Sequence, residues 1–327
     1  MANVLVTGGG GFIGSNLVRH LLADPANDVR VLDAFTYAVA PGTWPTLAAL
    51  DDRKKSRLDL HLGDICNPTV ANAAMQGIDV VYHLAAESHV DRSIVDPGAF
   101  VRTNVLGTQV LLDAARRHQV QRFLYVSTDE VMGSLRPDEP PFDERSQLQP
   151  NSPYSASKAG GEVLARAYYH TYGLPVLITR CSNNYGPFQF PEKLIPLAIT
   201  RLLAGQKVPV YGDGLQVRDW LYVSDHCRAL TCVMKVGLPG KVYCIGGDAE
   251  HTNLGLIGSL CELLELDAAS SIEFVTDRLG HDRRYAVDAG QLKDWHGWEP
   301  RVTFRAGLAL TISWYRQNRS WWEPLLK

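Results

Sequence analysis

The chain has 327 residues, enough to bury a substantial core and to form about two domains. Apolar residues make up 46% and charged residues 20%, as in ordinary globular proteins. The net charge of −3 argues against a nucleic-acid or membrane-surface partner, and no run of 18 apolar residues predicts a membrane span. We expect a cytoplasmic protein with no signal peptide. We also expect no metal site, because the six cysteines show neither C-x-x-C pairs nor zinc-ligand spacing.

The first 180 residues alternate short apolar runs with segments of helical periodicity. Strands are predicted at residues 4–7, 29–33, 58–62, 80–84, 123–127 and 176–180, and helices at 12–22, 99–117 and 154–172. The apolar runs are almost continuously Val, Ile and Leu, as in strands that are covered on both faces. This alternation predicts an α/β fold with a Rossmann-type, doubly wound parallel sheet.

A glycine-rich turn follows the first predicted strand and precedes a helix. Its spacing, Gly8-x-x-Gly11-x-x-Gly14, differs by one residue from the dinucleotide fingerprint G-x-G-x-x-G, but it still allows a tight turn and close approach of a pyrophosphate. Roughly 20 residues further on, Asp33 ends the second strand, where a carboxylate would bind a ribose 2′-hydroxyl. No basic residue follows Asp33 directly, so the pattern favours NAD over NADP. The alternative is a solvated loop that caps a helix.

A polar cluster follows the fifth predicted strand, at the sheet edge where Rossmann-type proteins bind ligands. The hydroxyl of Thr128 can hydrogen-bond a substrate hydroxyl. Asp129 and Glu130 are adjacent carboxyl groups, which can act as acid and base if their surroundings separate their pKa values. The alternative interpretation is a helix N-cap cluster.

Tyr154 and Lys158 are spaced i and i+4 at the start of a predicted helix, so both point from one face. To act as a base near pH 7, a tyrosine needs its ordinary pKa of about 10 lowered considerably. We expect a lysine ammonium and a positive nicotinamide to lower it. This spacing alone is weak evidence for a catalytic pair, and the alternative is that the two residues lie exposed on the surface.

Beyond residue 180 the pattern loosens, and Pro and Gly become frequent. Helices are predicted near residues 194–203, 225–234, 254–264 and 304–316, separated by short strands. We therefore interpret residues 1–180 as an NAD-binding Rossmann domain and residues 181–327 as a smaller C-terminal α+β lobe for the substrate. We expect some segments of this lobe to return to the first domain.

Taken together, these segments resemble the extended short-chain dehydrogenase/reductase family and, within it, the dTDP-glucose 4,6-dehydratases. The similarity runs along nearly the whole chain. The matching segments are GDI at 63–65, HLAAESHVDRS at 83–93, TN at 103–104, STDEV at 127–131, YSASK at 154–158, RCSNNYGP at 180–187, FPEKL at 190–194, VRDW at 217–220 and DRLGHD at 277–282.

The resemblance implies an NAD-dependent lyase that transiently oxidises carbon 4 of a nucleotide-linked glucose. Tyr154 would take the 4-hydroxyl proton with help from Thr128. Glu130 would then remove the proton on carbon 5, and Asp129 would protonate the departing 6-hydroxyl. Hydride would return to carbon 6, so that NAD is regenerated without being released and the product is dTDP-4-keto-6-deoxyglucose.

The resemblance also implies binding residues and an assembly. The cofactor residues would be Gly8, Gly11, Phe12, Ile13, Gly14, Asp33, Phe35, Thr36, Asp64, Ile65, Leu84, Ala85, Ala86, Ser88, Thr103, Tyr154, Lys158 and Asn184. The substrate residues would be Ser88, Thr128, Asn183, Lys193, Leu194, Pro209, Tyr211, Arg218, Asn253, Arg278 and His281. The two arginines are natural phosphate partners, with surface salt bridges as the alternative. A homodimer is implied through a four-helix bundle, with residues 99–117 and 154–172 as the candidate helices.

Departures from the family pattern leave other functions open. Met132 stands where the family usually has a tyrosine and could alter the space around the sugar, and Cys244 stands where a polar residue is common. A dTDP- or UDP-glucuronate decarboxylase, giving a 4-keto pentose or a pentose, would share the first oxidation, although such enzymes usually have Ser in place of Asp129. A 4-epimerase needs no acid and base for carbons 5 and 6. A non-catalytic NAD-binding protein would not need the set of Thr, Tyr and Lys.

Overall fold

The computed structural model describes residues 2–326 except 38, 40, 41 and 278. Its strands, β1–β12 in chain order, are Ala2–Thr7, Asn27–Asp33, Leu58–Leu62, Val80–His83, Arg122–Thr128, Val176–Cys181, Asn183–Tyr185, Val208–Tyr211, Val217–Tyr222, Val242–Ile245, Glu250–Thr252 and Ile272–Val275. The largest sheet has seven parallel strands in the order β10-β6-β5-β4-β1-β2-β3. The order reverses beside β1, as in a doubly wound sheet, which confirms the predicted Rossmann-type α/β fold.

The α-helices, α1–α14 in chain order, are Phe12–Leu22, Thr43–Ala48, Asp52–Lys55, Pro68–Met75, Val90–Val95, Pro97–Phe100, Thr108–Arg117, Pro153–Tyr172, Leu194–Leu203, Val223–Val236, Asn253–Leu264, Gly290–His296, Phe304–Gln317 and Arg319–Trp322. A π-helix spans Val101–Gly107, and 3-10 helices span Asp129–Met132 and Glu323–Leu326. The predicted helix at 12–22 is observed residue for residue as α1, and the one predicted at 154–172 begins one residue earlier as α8.

Successive side chains of each strand point to opposite faces of the large sheet, and helices pack against both faces. Val4 and Val6 of β1 pack in one apolar cluster with residues of α1 and α10. Leu5, between them, packs in a second cluster with residues of α4, α7 and α8. The continuous apolar runs of the strands are thus explained by two layers of helices.

The single helix predicted over residues 99–117 is wrong in its first half. There the chain forms α6 and then the π-helix, and the regular α-helix begins only at Thr108. The Asn104 side chain binds the backbone N–H and C=O of Glu87 at 2.9 and 3.0 Å, and it donates to Ser157 Oγ at 2.8 Å. These tertiary bonds hold Asn104 in the widened turn, and hydrophobic periodicity does not reveal them.

The residues after β6 build a second apolar core. Strands β11, β9 and β7 form a small sheet, β12 pairs with β8, and α9, α11 and α13 contribute to the surrounding cluster. Some segments from this part of the sequence instead belong with the large sheet: β10 pairs with β6, α10 packs against α1, and Leu292 of α12 lies in the same apolar cluster. Residues from both parts can therefore meet above the carboxyl ends of β5 and β6.

Within the described residues, no helix is long and apolar enough to cross a bilayer. In the same part of the chain, no group of His, Cys, Asp and Glu side chains is arranged to hold a metal ion. The six cysteines all have free thiols, and four of them are buried. Buried thiols of this kind pack as small apolar side chains.

Candidate active site

Two glycines in the loop after β1 lie so close to neighbouring backbone atoms that no residue with a Cβ would fit. Gly8 has φ +72°, and a Cβ there would lie 2.7 Å from the backbone nitrogen of Ala85. A Cβ on Gly14 would lie 2.0 Å from the carbonyl oxygen of Gly8. Helix α1 begins beyond Gly11 with no side-chain cap, so the loop leads directly to the amide groups of a helix N-terminus. Such amides bind phosphate groups well.

Asp33 is tied to this loop at the end of β2. Its Oδ2 accepts a hydrogen bond from the Gly10 N–H at 2.8 Å, and its Oδ1 accepts one from the Phe35 N–H at 2.9 Å. Burial raises the pKa of the Asp33 carboxyl, and these two backbone bonds oppose the rise. Each carboxylate oxygen has a further lone pair to offer a ribose hydroxyl.

The other residues predicted for the cofactor follow neighbouring strands. Asp64 and Ile65 come after β3, residues 84–88 come after β4, and Thr103 lies in the π-helix. Asp64 accepts hydrogen bonds from the Cys66 N–H at 2.8 Å and from the Arg102 guanidinium at 2.9 Å. The carboxyl ends of parallel strands meet at one edge of the sheet, so these segments share that edge with the glycine loop.

Tyr154 and Lys158 are both buried, so they are not a pair of exposed surface residues. Ser152 and Ser155 cap the start of α8 reciprocally, which fixes where the helix begins. The Lys158 ammonium donates to the Val126 carbonyl oxygen at 2.6 Å, and burial lowers the pKa of Lys158 to about 8. The ammonium has three donors, so it can also bind a ligand.

The chain's own charges do not lower the pKa of Tyr154. Burial, and next the negative charge of Glu130, raise the pKa of Tyr154 well above its ordinary value. A buried phenolate is unfavourable when carboxylates are its strongest charged neighbours. A positive charge from a bound ligand, such as a positive nicotinamide, would favour deprotonation of Tyr154.

Thr128, which ends β5, and the two residues that follow it differ in burial. Thr128 caps the short 3-10 helix: its Oγ1 accepts from the Glu130 N–H at 3.3 Å and donates to Asp129 Oδ1 at 3.2 Å. Asp129 is 1% exposed, and burial followed by the charge of Glu130 raises its pKa well above the ordinary value. Glu130 is only half-buried. This difference favours Asp129 as a protonated acid and Glu130 as a base.

Several of the buried polar atoms that have no hydrogen-bond partner in the described part of the chain lie at this edge, while others are spread through the protein. Those at the edge include Ser127 Oγ, Asp129 Oδ2, Asn183 Oδ1 and Asn184 Oδ1. Buried polar atoms are normally paired, and each unpaired atom costs about 1–3 kcal/mol. Atoms of this kind fit a site that receives a polar ligand.

The residues predicted for the substrate are only partly brought together. Lys193 donates to the Ser88 carbonyl oxygen at 2.9 Å, and Asn183 and Arg218 lie on the paired strands β7 and β9. The Arg218 guanidinium donates to the carbonyl oxygens of Val217 and Asp282. The remaining residues lie on other elements, with Leu194 at the start of α9, Pro209 and Tyr211 on β8, Asn253 at the start of α11 and His281 2.6 Å from Asp277. Arg278 lies outside the described residues.

Met132 and Cys244, the two departures from the family pattern, belong to one apolar cluster with Val131, Ala159 and Val287. Met132 is 2% exposed. It shares this cluster with Ala159 of α8 and Cys244 of β10. We therefore interpret Met132 as a replacement within the apolar core, and not as a residue that shapes the space around a sugar.

A buried ion pair, which was not predicted, joins α8 to β6. Glu162 Oε1 accepts from Arg180 at 2.7 Å, and Arg180 also donates to the Ser146 carbonyl oxygen at 3.1 Å. Glu162 is four residues after Lys158, on the same face of α8. The sequence did contain a signal for this pair. Arg180 stands inside the apolar strand β6, and a buried arginine needs a charged or polar partner.

Comparison with known proteins gives consistent matches along the chain. A family model described as GDP-mannose 4,6 dehydratase matches residues 5–311. A dTDP-glucose 4,6-dehydratase of Streptomyces antibioticus is 52% identical, over 99% of this chain and 96% of that protein. The structure of a dTDP-glucose 4,6-dehydratase from Streptomyces venezuelae, with NAD and dTDP bound, has a TM-score of 0.94 and 50% identity over 99% of both chains. A UDP-glucuronic acid 4-epimerase from Bacillus cereus, in complex with UDP-glucuronic acid and NAD, has a TM-score of 0.89 and 30% identity over 96% of this chain and 99% of that one.

Proposed function

Because this chain belongs to the extended short-chain dehydrogenase/reductase family, among the nucleotide-sugar 4,6-dehydratases, we propose that it is an NAD-dependent lyase that converts dTDP-glucose to dTDP-4-keto-6-deoxyglucose. The observation that carries the proposal is the pair of adjacent carboxyl groups, with Asp129 fully buried and Glu130 half-buried beside it. Full-length similarity to dTDP-glucose dehydratases supports the choice of substrate.

NAD fits the residues present. The close approaches at Gly8 and Gly14 leave a cradle that a Cβ would fill, and Asp33 stands where it can accept a ribose hydroxyl. The remaining cofactor residues would be those that follow β3 and β4, together with Thr103 and Asn184. When bound, NAD would supply a hydride acceptor for carbon 4 at the start of the cycle and a hydride donor for carbon 6 at its end.

The chain's own residues would move the protons. Tyr154 would accept the proton of the 4-hydroxyl as hydride leaves carbon 4, while Thr128 holds the same oxygen. The 4-ketone formed makes the proton on carbon 5 acidic, and the half-buried Glu130 would remove it and return it to carbon 5 when hydride reaches carbon 6. The leaving 6-hydroxyl takes a proton and departs as water, and Asp129, whose pKa is raised, is suited to supply that proton.

Residues 181–327 would supply most of the nucleotide-binding contacts. Cationic Lys193 and Arg218 suit a diphosphate, and Asn183 offers an amide to the sugar or phosphate. The other proposed contacts are Ser88, Leu194, Pro209, Tyr211, Asn253, Arg278 and His281. We keep residue 180 as the division between an NAD-binding domain and a substrate lobe, with α10 and β10 as segments of the lobe that return to the first domain.

We also propose a homodimer in the cytoplasm, formed through a four-helix bundle. Apolar side chains are exposed on the two helical segments concerned: Val101 at 54%, Leu106 at 45% and Val163 at 52%. Water contact with such side chains is unfavourable, and burying them against a second copy would remove it. A monomer in light scattering at assay concentrations would contradict this part of the proposal.

The acid and base assignments can be tested with Asp129→Asn and Glu130→Gln. Both variants should still oxidise dTDP-glucose, seen as reduced-nicotinamide absorbance, but eliminate water about 100-fold more slowly or worse, because general acid–base catalysis is typically worth that much. Dehydration at the wild-type rate by both variants would refute the assignment.

A further inference from the structure

We propose that Tyr37, Arg92 and Glu192 form a latch that couples the retention of NAD to the binding of the nucleotide sugar. The inference deepens the proposed function and depends on it for the identity of the two ligands. The three residues come from three different segments: one after β2, one in α5 and one just before α9.

Tyr37 and Glu192 connect segments that we assign to different ligands. Tyr37 directly follows Phe35 and Thr36, which we assign to the cofactor, and Glu192 directly precedes Lys193, which we assign to the diphosphate. The Tyr37 hydroxyl donates to Glu192 Oε1 at 3.3 Å, across a separation of 155 residues. This bond is a direct physical connection between the two binding regions.

Arg92 closes the latch on the other side. The centre of its guanidinium lies 3.5 Å from the centre of the Tyr37 ring, and its Nε lies 3.7 Å from Glu192 Oε2. The Phe190 ring meets the Tyr37 ring edge-on at 6.1 Å. Tyr37 is therefore held by a cation–π contact, a hydrogen bond to a carboxylate and an aromatic contact at once.

The segment that carries Tyr37 needs such support. Phe35 has φ 52°, a left-handed conformation that is unfavourable for a bulky side chain and persists only where its surroundings hold it. Asp33 holds the Phe35 N–H, and the Thr36 side chain bonds Glu87. Loss of the Tyr37 contacts would leave fewer restraints on the very residues that are assigned to the cofactor.

Glu192 also links the latch to the diphosphate region. The cations Lys193 and Arg92 stabilise its carboxylate and oppose the rise in its pKa that burial causes. Lys193 itself donates to the Ser88 carbonyl oxygen at 2.9 Å, in the segment that follows β4. A diphosphate held by Lys193 and Ser88 would fix residues 190–193 in place, and Glu192 would then hold Tyr37 and the cofactor segment more firmly.

This coupling suits the chemistry of the cycle. Hydride removed from carbon 4 must return to carbon 6 of the same sugar, so the cofactor must not leave while the sugar is bound. Coupling between two binding sites is reciprocal in binding free energy, so a nucleotide that raises the affinity for NAD must itself bind more tightly when NAD is present.

The test measures NAD release from the holoenzyme in the presence and absence of dTDP. Protein loaded with radiolabelled NAD is chased with unlabelled NAD, for wild type, Tyr37→Phe, Glu192→Gln and the double variant. In wild type, dTDP should slow release at least about fivefold, the lower end of typical coupling between sites. In each single variant it should slow release less than about twofold, and the double variant should show no further loss, because both changes break one interaction.

Matched controls are available elsewhere in the chain. The Tyr168 hydroxyl donates to Asp113 at 2.9 Å, and Glu262 pairs with Arg305 at 2.9 Å, so Tyr168→Phe and Glu262→Gln remove similar interactions away from the latch. In both control variants, dTDP should slow NAD release by the same factor as in wild type. The inference is overturned if dTDP has no effect on wild type, or if the latch variants release NAD faster but keep the full dTDP effect. The assay needs no turnover, so a protein that binds dTDP without dehydrating dTDP-glucose would refute the proposed function and still leave this inference testable.

Discussion

Replacing Glu162 by alanine should destabilise the protein strongly, because it leaves a buried charge without its partner. Glu162 and Arg180 side chains are 5% and 6% exposed and pair at 2.7 Å. Removing one member of a buried pair typically costs about 3–5 kcal/mol of the free energy of unfolding. Replacing both members, as in Glu162→Leu with Arg180→Met, should recover most of that loss, since it removes the unpaired charge.

The assay is urea unfolding of wild type, the single variant and the double variant. The exposed pair of Glu262 and Arg305 provides the control, because Glu262→Ala there should leave the free energy of unfolding nearly unchanged. The surviving activity of Glu162→Ala should also decline at a lower pH than that of wild type, because the negative charge of Glu162 raises the pKa of Lys158. A loss below 1 kcal/mol, or a double variant no more stable than the single one, would refute this reasoning.

Three further predictions concern the site. Gly14→Ala should abolish NAD binding in a titration, because the new Cβ would lie 2.0 Å from the Gly8 oxygen, whereas Gly258→Ala, which meets nothing within 4 Å, should bind NAD normally. Activity of the free enzyme should fall as pH rises through about 8, as the Lys158 ammonium loses its proton, and a kcat/KM profile flat to pH 10 would contradict this. Met132→Ala should lower the free energy of unfolding by about 2–5 kcal/mol in a urea titration while still dehydrating dTDP-glucose; a switch of substrate would place Met132 at the sugar.

Local signals account for what the sequence predicted well. Helix α1 matches its prediction to the residue, because the glycine loop before it and the apolar periodicity within it are both local. The six predicted strands are all present, since short apolar runs between turns need no distant information. The polar residues after β5 could be placed at the ligand-binding edge once the sheet was known to be parallel.

Long-range contacts account for what could not be predicted. The π-helix depends on Asn104 reaching Glu87 and Ser157. The hydrogen bond between Tyr37 and Glu192 joins residues 155 positions apart. The raised pKa of Tyr154 depends on burial and on the nearby Glu130, and no spacing along the chain reports how deeply a side chain is buried.

The central claim is tested most directly by incubating the purified protein separately with dTDP-glucose and dTDP-glucuronate and weighing the products by mass spectrometry. The account predicts that dTDP-glucose loses one molecule of water and that dTDP-glucuronate is unchanged. Loss of carbon dioxide from dTDP-glucuronate, with dTDP-glucose untouched, would contradict it and identify a decarboxylase built on the same framework.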